Sequence, residues 1–483
     1  MLGLWLSGSA LSAQSAATFV VPSYASSNVQ LTTSSAQNPL YGSVSAPPVT
    51  ATAIQLTLTD AVNRGLDHNL AIALALQTQR SDAGQISSAF SALMPYMTAQ
   101  AQTGTQSISL AAMGFKTSVL NSLGSALNLP AGTVIPSIVK VDTTGAQLNL
   151  SQPVFNLQAI EYYRAAKAYA RVSELDTLNT RGNVVLLVGA AYLQTLAAAA
   201  QLQNEQALLR SDETALNQAR DSHATGVATN LDELRARVQY QRRQQAVVTA
   251  ENTFAKDKMG LNRMIGLAAD QPIELVDTAP YADLAMLPLD QAKQTAYEHR
   301  KDYISLHAQV RTAELLRKAA KYERAPTVSI GGYYGVLGQT HGLYHGVFNA
   351  QGSISIPVFH EAQFRGDREV ADAQLSRLSA QIADLEVTIE SQLRSSMLDV
   401  QATAQLVKVA RSNVDLAAQE LADSNDRFRA GVEDNLPVVQ AEATLAGAQT
   451  QLVNSLYQYN QAKLNLARNT GIIESQYQAF LGR

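Results

Sequence analysis

His341 and His345 stand four residues apart, a spacing that on a helix face would let two imidazoles share a metal ion. They fall in GGYYGVLGQTHGLYHGVF, a Gly-rich stretch between alternating segments, so an exposed loop is the expectation and a metal site is not. No phosphate-binding Gly-rich loop, no G-x-S-x-G, no HExxH and no cysteine occur in the chain, so the residues for nucleotide, serine-hydrolase, zincin and thiolate chemistry are missing. Acidic pairs such as Asp232-Glu233 sit in the first turn of a helix, where the helix dipole accounts for them. No enzymatic activity and no cofactor are expected.

The chain has 483 residues, with 36 basic against 40 acidic and a net charge of -4. That balance gives no pull toward nucleic acid. Charged residues make up only 16%, which suits long Ala-rich helices and polar strands better than a charged globular surface. The absence of cysteine also excludes disulfides and a lipidated N-terminal Cys.

Two turns are written alike. AGVEDNLPVVQAEA, from Ala430, repeats TGVATNLDELRARV, from Thr225, at an offset of 205, and Lys463, Leu466, Arg468 and Gly471 then fall on Lys258, Leu261, Arg263 and Gly266 without a gap. Earlier, Ala61, His68, Pro95 and Gly104 fall on Ala292, His299, Pro326 and Gly335 at an offset of 231. AQLNLSQPVF, from Ala146, matches AQGSISIPVF, from Ala350, at 204. The body is therefore an internal duplication, and the drop in offset puts about 27 extra residues in the first copy, between Gly104 and Ala146.

Each copy reads as a helix of about 35 residues, two strands, one very long helix, the Gly-Val turn and another helix of about 35. The strands rest on alternation: Ala146, Leu148 and Leu150 against Gln147, Asn149 and Ser151, then Ala350, Ile354 and Ile356 against Gln351, Ser353 and Ser355. Met97, Ala99 and Ala101 share one parity after Pro95, as do Val328, Ile330, Tyr334 and Val336 after Pro326. Each strand pair ends at Pro-Val-Phe, Pro153 to Phe155 and Pro357 to Phe359, where a proline is tolerated because the ladder is ending. The second long helix runs from about Phe364 to Arg429 on a stripe from Leu385 through Ile389, Leu393, Met397, Val400, Ala404, Val407, Ala410, Val414 and Ala417 to Leu421. Such a helix, about 100 Å long, must lie against similar helices. Val184 to Leu202 carries no charge, but its duplicate, Thr388 to Leu406, contains Glu390, Arg394 and Asp399, which argues against a bilayer span.

Strands of about ten alternating residues match a tilted crossing of a bilayer as a β-barrel. Four strands cannot close one, and lipid does not tolerate an open edge. Three copies would give twelve strands, with the polar parity toward a water-filled lumen and the apolar parity toward lipid. Tyr333, Tyr334, Tyr344 and Phe348 are placed for an interfacial belt. The rival reading is a non-channel coiled-coil scaffold of the cell envelope, which has no need of strands with a lipid-facing parity.

Over residues 54 to 472 the chain resembles the TolC-type outer-membrane efflux proteins, the outer membrane factor family. The bearers are LTLTDAVNRGLDHNLAIALA, SQPVF and SIPVF, ATGVATNLDELRARV and RAGVEDNLPVVQAEA, and LNRMIG, in order and duplicated. The resemblance implies a mainly α fold with a small transmembrane β part, duplicated long-helix hairpins forming a trimeric α-helical barrel joined to a 12-stranded β-barrel. It also implies a homotrimer in outer-membrane lipid with a long periplasmic extension. Such a duct serves an inner-membrane pump through a periplasmic adaptor of the membrane fusion type.

In that family the hairpin tips meet the adaptor, which marks Gly226, Val227 and Ala228, and Gly431, Val432 and Glu433, as docking candidates. The same glycines also suit helix capping, with Asn230 and Asn435 helping the next helix begin. Where the family often carries constricting aspartates, six and nine residues past the second glycine, this chain has Pro437 and Gln440. Glu433 and Asp434 are the alternative constriction pair, the other reading being a solvated acidic turn. Residues 1–17, MLGLWLSGSALSAQSAA, resemble an export signal without a preceding Lys or Arg. The expected divisions are a structureless linker over 18–53, a first repeat over 54–270, a connector over 271–287, a second repeat over 288–473 and a tail over 474–483.

Overall fold

The computed structural model describes residues 35, 37–112, 114, 118–119, 136–226, 229–277, 281–430, 432 and 436–482. A short strand, β1 (Ile54–Leu56), leads into helices α1 (Leu58–His68) and α2 (Leu70–Ser91). Strands β2 (Tyr96–Ser109) and β3 (Ile138–Phe155) follow, then α3 (Leu157–Ala224) runs out and α4 (Asn230–Met264) returns. After a second short strand, β4 (Ile273–Leu275), the path repeats as α5 (Leu289–His299), α6 (Lys301–Tyr322), β5 (Thr327–Gln339), β6 (Tyr344–Ser355), α7 (Glu361–Arg429) and α8 (Leu436–Asn469). Helix α9 (Ile473–Phe480) follows. At 68 and 69 residues, α3 and α7 are each about 100 Å long.

The opening helix of each copy departs from expectation. It is two helices, broken at Asn69 and at Arg300, equivalent positions with extended backbones (φ -67°, ψ 134° and φ -66°, ψ 118°). Nothing local forbids continuation, since neither break carries Pro or Gly. The breaks are held by a local bond and by an outside one: the Asn69 side chain caps α2 by accepting from Ala71 N–H and also donates to the Leu40 carbonyl, 2.9 and 2.8 Å. Arg300, buried, forks onto Asp302 at 3.1 and 2.7 Å and reaches Gln392 of α7 at 2.8 Å.

Two expected boundaries are corrected. The expected linker is tied to the fold around Tyr41 and at Thr50: Tyr41 and Gly42 are buried, Leu70 N–H donates to the Gly42 carbonyl, and Thr50 N–H donates to Gln271, while residues 44–53 stay exposed. The expected tail is α9, whose Ile473 and Tyr477 enter the core together with Leu481. Apolar side chains every three or four residues in so short a segment leave a helix one face to bury.

One core gathers β1, α1, the middle of α3, the end of α4, α8 and α9, and includes Val184, Val188, Tyr192 and Leu196. The uncharged stretch of α3 is thus a core helix. A second core joins Ala292 and Ala296 of α5 to Ile389, Leu393, Val400 and Val407 of α7 and to Tyr459, Ala462 and Leu466 of α8. The stripe read from the sequence is the buried one.

The long strands form one antiparallel sheet in the order β2-β3-β5-β6. They are longer than expected, at 14, 18, 13 and 12 residues. The extra residues of the first copy fall between β2 and β3, over 110–137, where the second copy turns within 340–343; most of that connection lies outside the described residues.

Candidate functional site: the sheet faces and the hairpin tips

Register decides what the sheet presents. Met97 pairs with Leu150, Ala99 with Leu148 and Ala101 with Ala146; Leu148 then faces Tyr334 and Ala146 faces Val336; Tyr334 faces Phe348 and Val328 faces Ile354. Cross-strand partners point the same way, so all four apolar parities share one face. That face is uncovered in the single chain: Leu148 is 49%, Tyr334 70% and Phe348 79% exposed. The opposite face carries Gln100 beside Gln147, Asn149 beside Thr98 and Tyr333, and Ser329 hydrogen-bonded to Ser353 at 2.7 Å.

Toward the β2–β3 and β5–β6 connections the apolar face ends in hydroxyls, Thr103 to Thr144 at 2.8 Å and Thr144 to Thr340 at 3.0 Å, followed by Thr105 with Asp142. Of the four aromatics expected in one belt, Tyr334, Tyr344 and Phe348 share the apolar face while Tyr333, odd in parity, lies on the other. His341 takes the left-handed position of the β5–β6 turn (φ 66°) and His345 pairs with Leu337 inside β6. The two histidines therefore occupy turn and strand rather than one helix face.

At the strand-to-helix junctions the register slips between Pro153 and Phe155, and Asn156 caps α3 by accepting from Ala159 N–H at 3.0 Å. In the second copy Pro357 and Phe359 lie past the end of β6, with Phe359 93% exposed.

The first tip is built by its own local chemistry. Thr225 caps α3 and Gly226 reverses the chain at φ +78°, with open space around the position a Cβ would take. The cap of α4 is Thr229, not Asn230: Asp232 N–H donates to the Thr229 hydroxyl at 3.3 Å, and the Asp232 carboxylate accepts from Thr229 N–H at 3.0 Å and from its hydroxyl at 2.6 Å. These hydrogen bonds from the Thr229 hydroxyl and amide hold the Asp232 carboxyl below its usual range. T-x-x-D in TNLD was the signal for this box. Leu216 and Ala219 of α3 pack on Ala236 of α4 just behind the tip.

At the second tip Val432 is 74% exposed, and its N–H donates to the Arg427 carbonyl at 3.1 Å, the long bond of a helix C-terminal turn. Val227, Ala228, Gly431, Glu433 and Asp434 lie outside the described residues, as does Asn435.

The family described as "Outer membrane efflux protein" matches residues 61–267 and 292–472, one block per copy. The chain belongs to this family. An outer membrane efflux protein resides in the outer membrane of a Gram-negative cell, and the apolar sheet face is the part of this one suited to lipid.

Two relatives match much of the chain. The chain is 23% identical over 348 residues to the alkaline protease secretion protein AprF of Pseudomonas aeruginosa, covering 69% of this chain and 70% of the relative. It is 26% identical over 296 residues to the toluene efflux pump outer membrane protein TtgF of Pseudomonas putida, covering 59% and 60%. Among solved structures, the outer membrane protein VceC of Vibrio cholerae superposes with a TM-score of 0.69 at 17% identity, over 86% of this chain and 96% of that one. The Campylobacter jejuni CmeC outer membrane channel gives 0.72 at 15% identity, over 94% of both. The fold of this outer membrane efflux protein is therefore that of the solved channels.

Proposed function

We propose that three copies of this chain join their sheets edge to edge, β6 of one against β2 of the next, into a twelve-stranded barrel that continues into a tunnel of α3/α4 and α7/α8 hairpins. The assembly is the passive outer-membrane exit duct of a tripartite efflux or secretion system. An inner-membrane pump delivers cargo to it through a periplasmic adaptor. The observation that carries this reading is the sheet, exposed and apolar on one face, polar on the other, and, among the described residues, ending at β2 and β6 with no further strand beside either. A bilayer offers no water to unpaired backbone groups, so the edges must find each other.

The tips support the adaptor contact. Open space surrounds Gly226 and Val432 is solvent-facing, so a partner can approach the backbone there; Val227, Ala228, Gly431 and Glu433 complete the docking set. Threefold symmetry would make Glu433 and Asp434 an acidic ring at the tunnel mouth. Similarity to relatives named for protease secretion and for toluene efflux fits a duct whose cargo the pump selects. A coiled-coil scaffold would have no use for the exposed apolar sheet face.

The test is membrane fractionation followed by conductance in planar bilayers, with paired cysteines placed on β2 and β6 of this cysteine-free chain. Covalent trimers and a conducting pore are expected. A soluble, non-conducting monomer overturns the reading.

A further inference from the structure

A charged cluster lies buried where α3, α4 and α8 meet. Glu205 and Asp212 come from α3, Arg243 from α4 and Glu442 from α8, and all four are between 2% and 8% exposed. The Arg243 guanidinium donates to Glu205 at 2.7 Å and to Asp212 at 3.2 Å, so one cation already serves two carboxylates. Glu442 accepts from the Ser211 hydroxyl at 3.4 Å, which sets it beside Asp212, the next residue on α3, near enough for the two carboxyls to share a hydrogen bond. It has no ion pair of its own among the described residues. Two touching carboxylates in a buried layer cannot both ionise without heavy cost, and a proton held between them removes it.

The duplication supplies an internal control. At the offset of 205, Glu205, Asp212 and Arg243 correspond to Ala410, Ala417 and Ala448, and Ala410 and Ala417 are buried. Glu442 corresponds to Arg237, which is exposed. The α7/α8 hairpin thus closes the same layer with methyl groups, and hairpin packing as such does not require the charges. Replacing buried ion pairs by apolar groups is commonly neutral or stabilising, so the cluster calls for a role other than adhesion.

We propose that Glu442 and Asp212 share one proton across the α3–α8 contact, and that the fastening of the second hairpin onto the first loosens when this proton leaves. The groups facing the pair are Glu205 and Ser211 of α3 and Arg243 of α4; among the described residues α7, on the other side of α8, contributes none of the groups bonded to it. Burial first, and the Asp212 charge second, push Glu442 up to about 7; burial likewise raises Asp212. A carboxyl whose folded-state pKa is raised contributes fully below its ordinary value of 4.5. The contribution declines as pH rises toward about 7 and is gone above it. The device therefore tightens in mild acid and releases at slightly alkaline pH, whether or not the tips dock an adaptor.

Hydrogen exchange of the full-length protein in lipid nanodiscs, read by mass spectrometry at pH 6 and pH 8 and corrected for intrinsic exchange, tests this. Protection of the α8 segment around Glu442 should fall about tenfold between the two values, and Glu442→Gln should abolish the fall. Asp212→Asn provides the second variant: it removes the Asp212 charge but leaves Glu442 buried, so the fall should shrink without vanishing. An unchanged wild type, an undiminished fall in either variant, or a fall spread evenly over all helices overturns the proposal.

Discussion

Gly266 closes the first repeat by standing directly on His68. Its φ is +76°, and a Cβ built there would lie 2.5 Å from the His68 Cβ. The second copy repeats the arrangement: Gly471, at φ +81°, would place a Cβ 2.6 Å from the Arg300 backbone nitrogen. Each copy's returning helix thus ends left-handed against the break between that copy's own opening helices. Leu267 N–H to the Asn262 carbonyl and Ile472 N–H to the Ala467 carbonyl, 2.8 and 3.1 Å, complete the matching C-terminal turns.

Gly266→Ala and Gly471→Ala should therefore each destabilise the fold by about 2–3 kcal/mol, combining left-handed strain with a clash that the neighbouring atoms cannot easily relieve. Gly226→Ala shares the strain (φ +78°) but meets open space, and should cost only about 1 kcal/mol. Thermal unfolding followed by circular dichroism separates the cases; equal shifts for all three variants would contradict the close approach.

That contrast also marks how far the sequence could be read. The duplication, long helices, strand parities and turns were legible because each is local or repeats at a fixed offset, and the register put Met97, Leu150, Tyr334 and Phe348 on one face as their parity requires. The breaks at Asn69 and Arg300 were harder to read, because the local bonds there, Asn69 to Ala71 and Arg300 to Asp302, are joined by contacts remote in sequence, Leu40 in one case and Gln392 in the other. The Arg243 cluster escaped for the same reason. Its members are scattered over three helices, and at helical spacing a lone Glu or Asp reads as a solvated face. The Thr229–Asp232 box is different: its T-x-x-D signal is local and legible, one residue before the Asn230 expected to help the helix begin.

The Arg300–Asp302 pair makes a pH prediction of opposite sign to that of Glu442. Burial works against the Asp302 carboxylate, but the Arg300 hydrogen bonds and charge outweigh it and hold the pKa below 3.8. A depressed carboxyl contributes above its unfolded value and loses that contribution as pH falls through the folded one. Asp302→Asn, which leaves the buried Arg300 without its countercharge, should cost about 3 kcal/mol near neutrality. The gap to wild type should narrow only below pH 3.8, and melting temperatures at pH 7 and in strong acid measure it.

For the tips, Gly226→Trp or Gly431→Trp should leave the trimer and its membrane insertion intact while abolishing transport by the assembled system. An indole would occupy the open space beside Gly226 without reaching the packed layer of Leu216, Ala219 and Ala236 behind it. Cross-linking and fractionation check the assembly, and cargo export checks coupling. Normal export by both variants would remove the docking role.

Neighbouring residues on one strand test the sheet's orientation most directly. Leu148 lies between Ala99 and Tyr334 on the apolar face, whereas Asn149 lies between Thr98 and Tyr333 on the polar one. A lysine on a lipid-facing strand near the bilayer midplane costs about 2–4 kcal/mol, while one facing an aqueous lumen stays hydrated. Leu148→Lys should accordingly lower the yield of assembled barrel and its resistance to heat in detergent. Asn149→Lys should assemble normally and shift the channel's ion selectivity toward anions, through three added charges in a trimer. Because the two positions share backbone, strand and depth, only the face differs between them. If Asn149→Lys were the damaging change and Leu148→Lys the one that altered conductance, the barrel would have to be turned inside out relative to the reading given above.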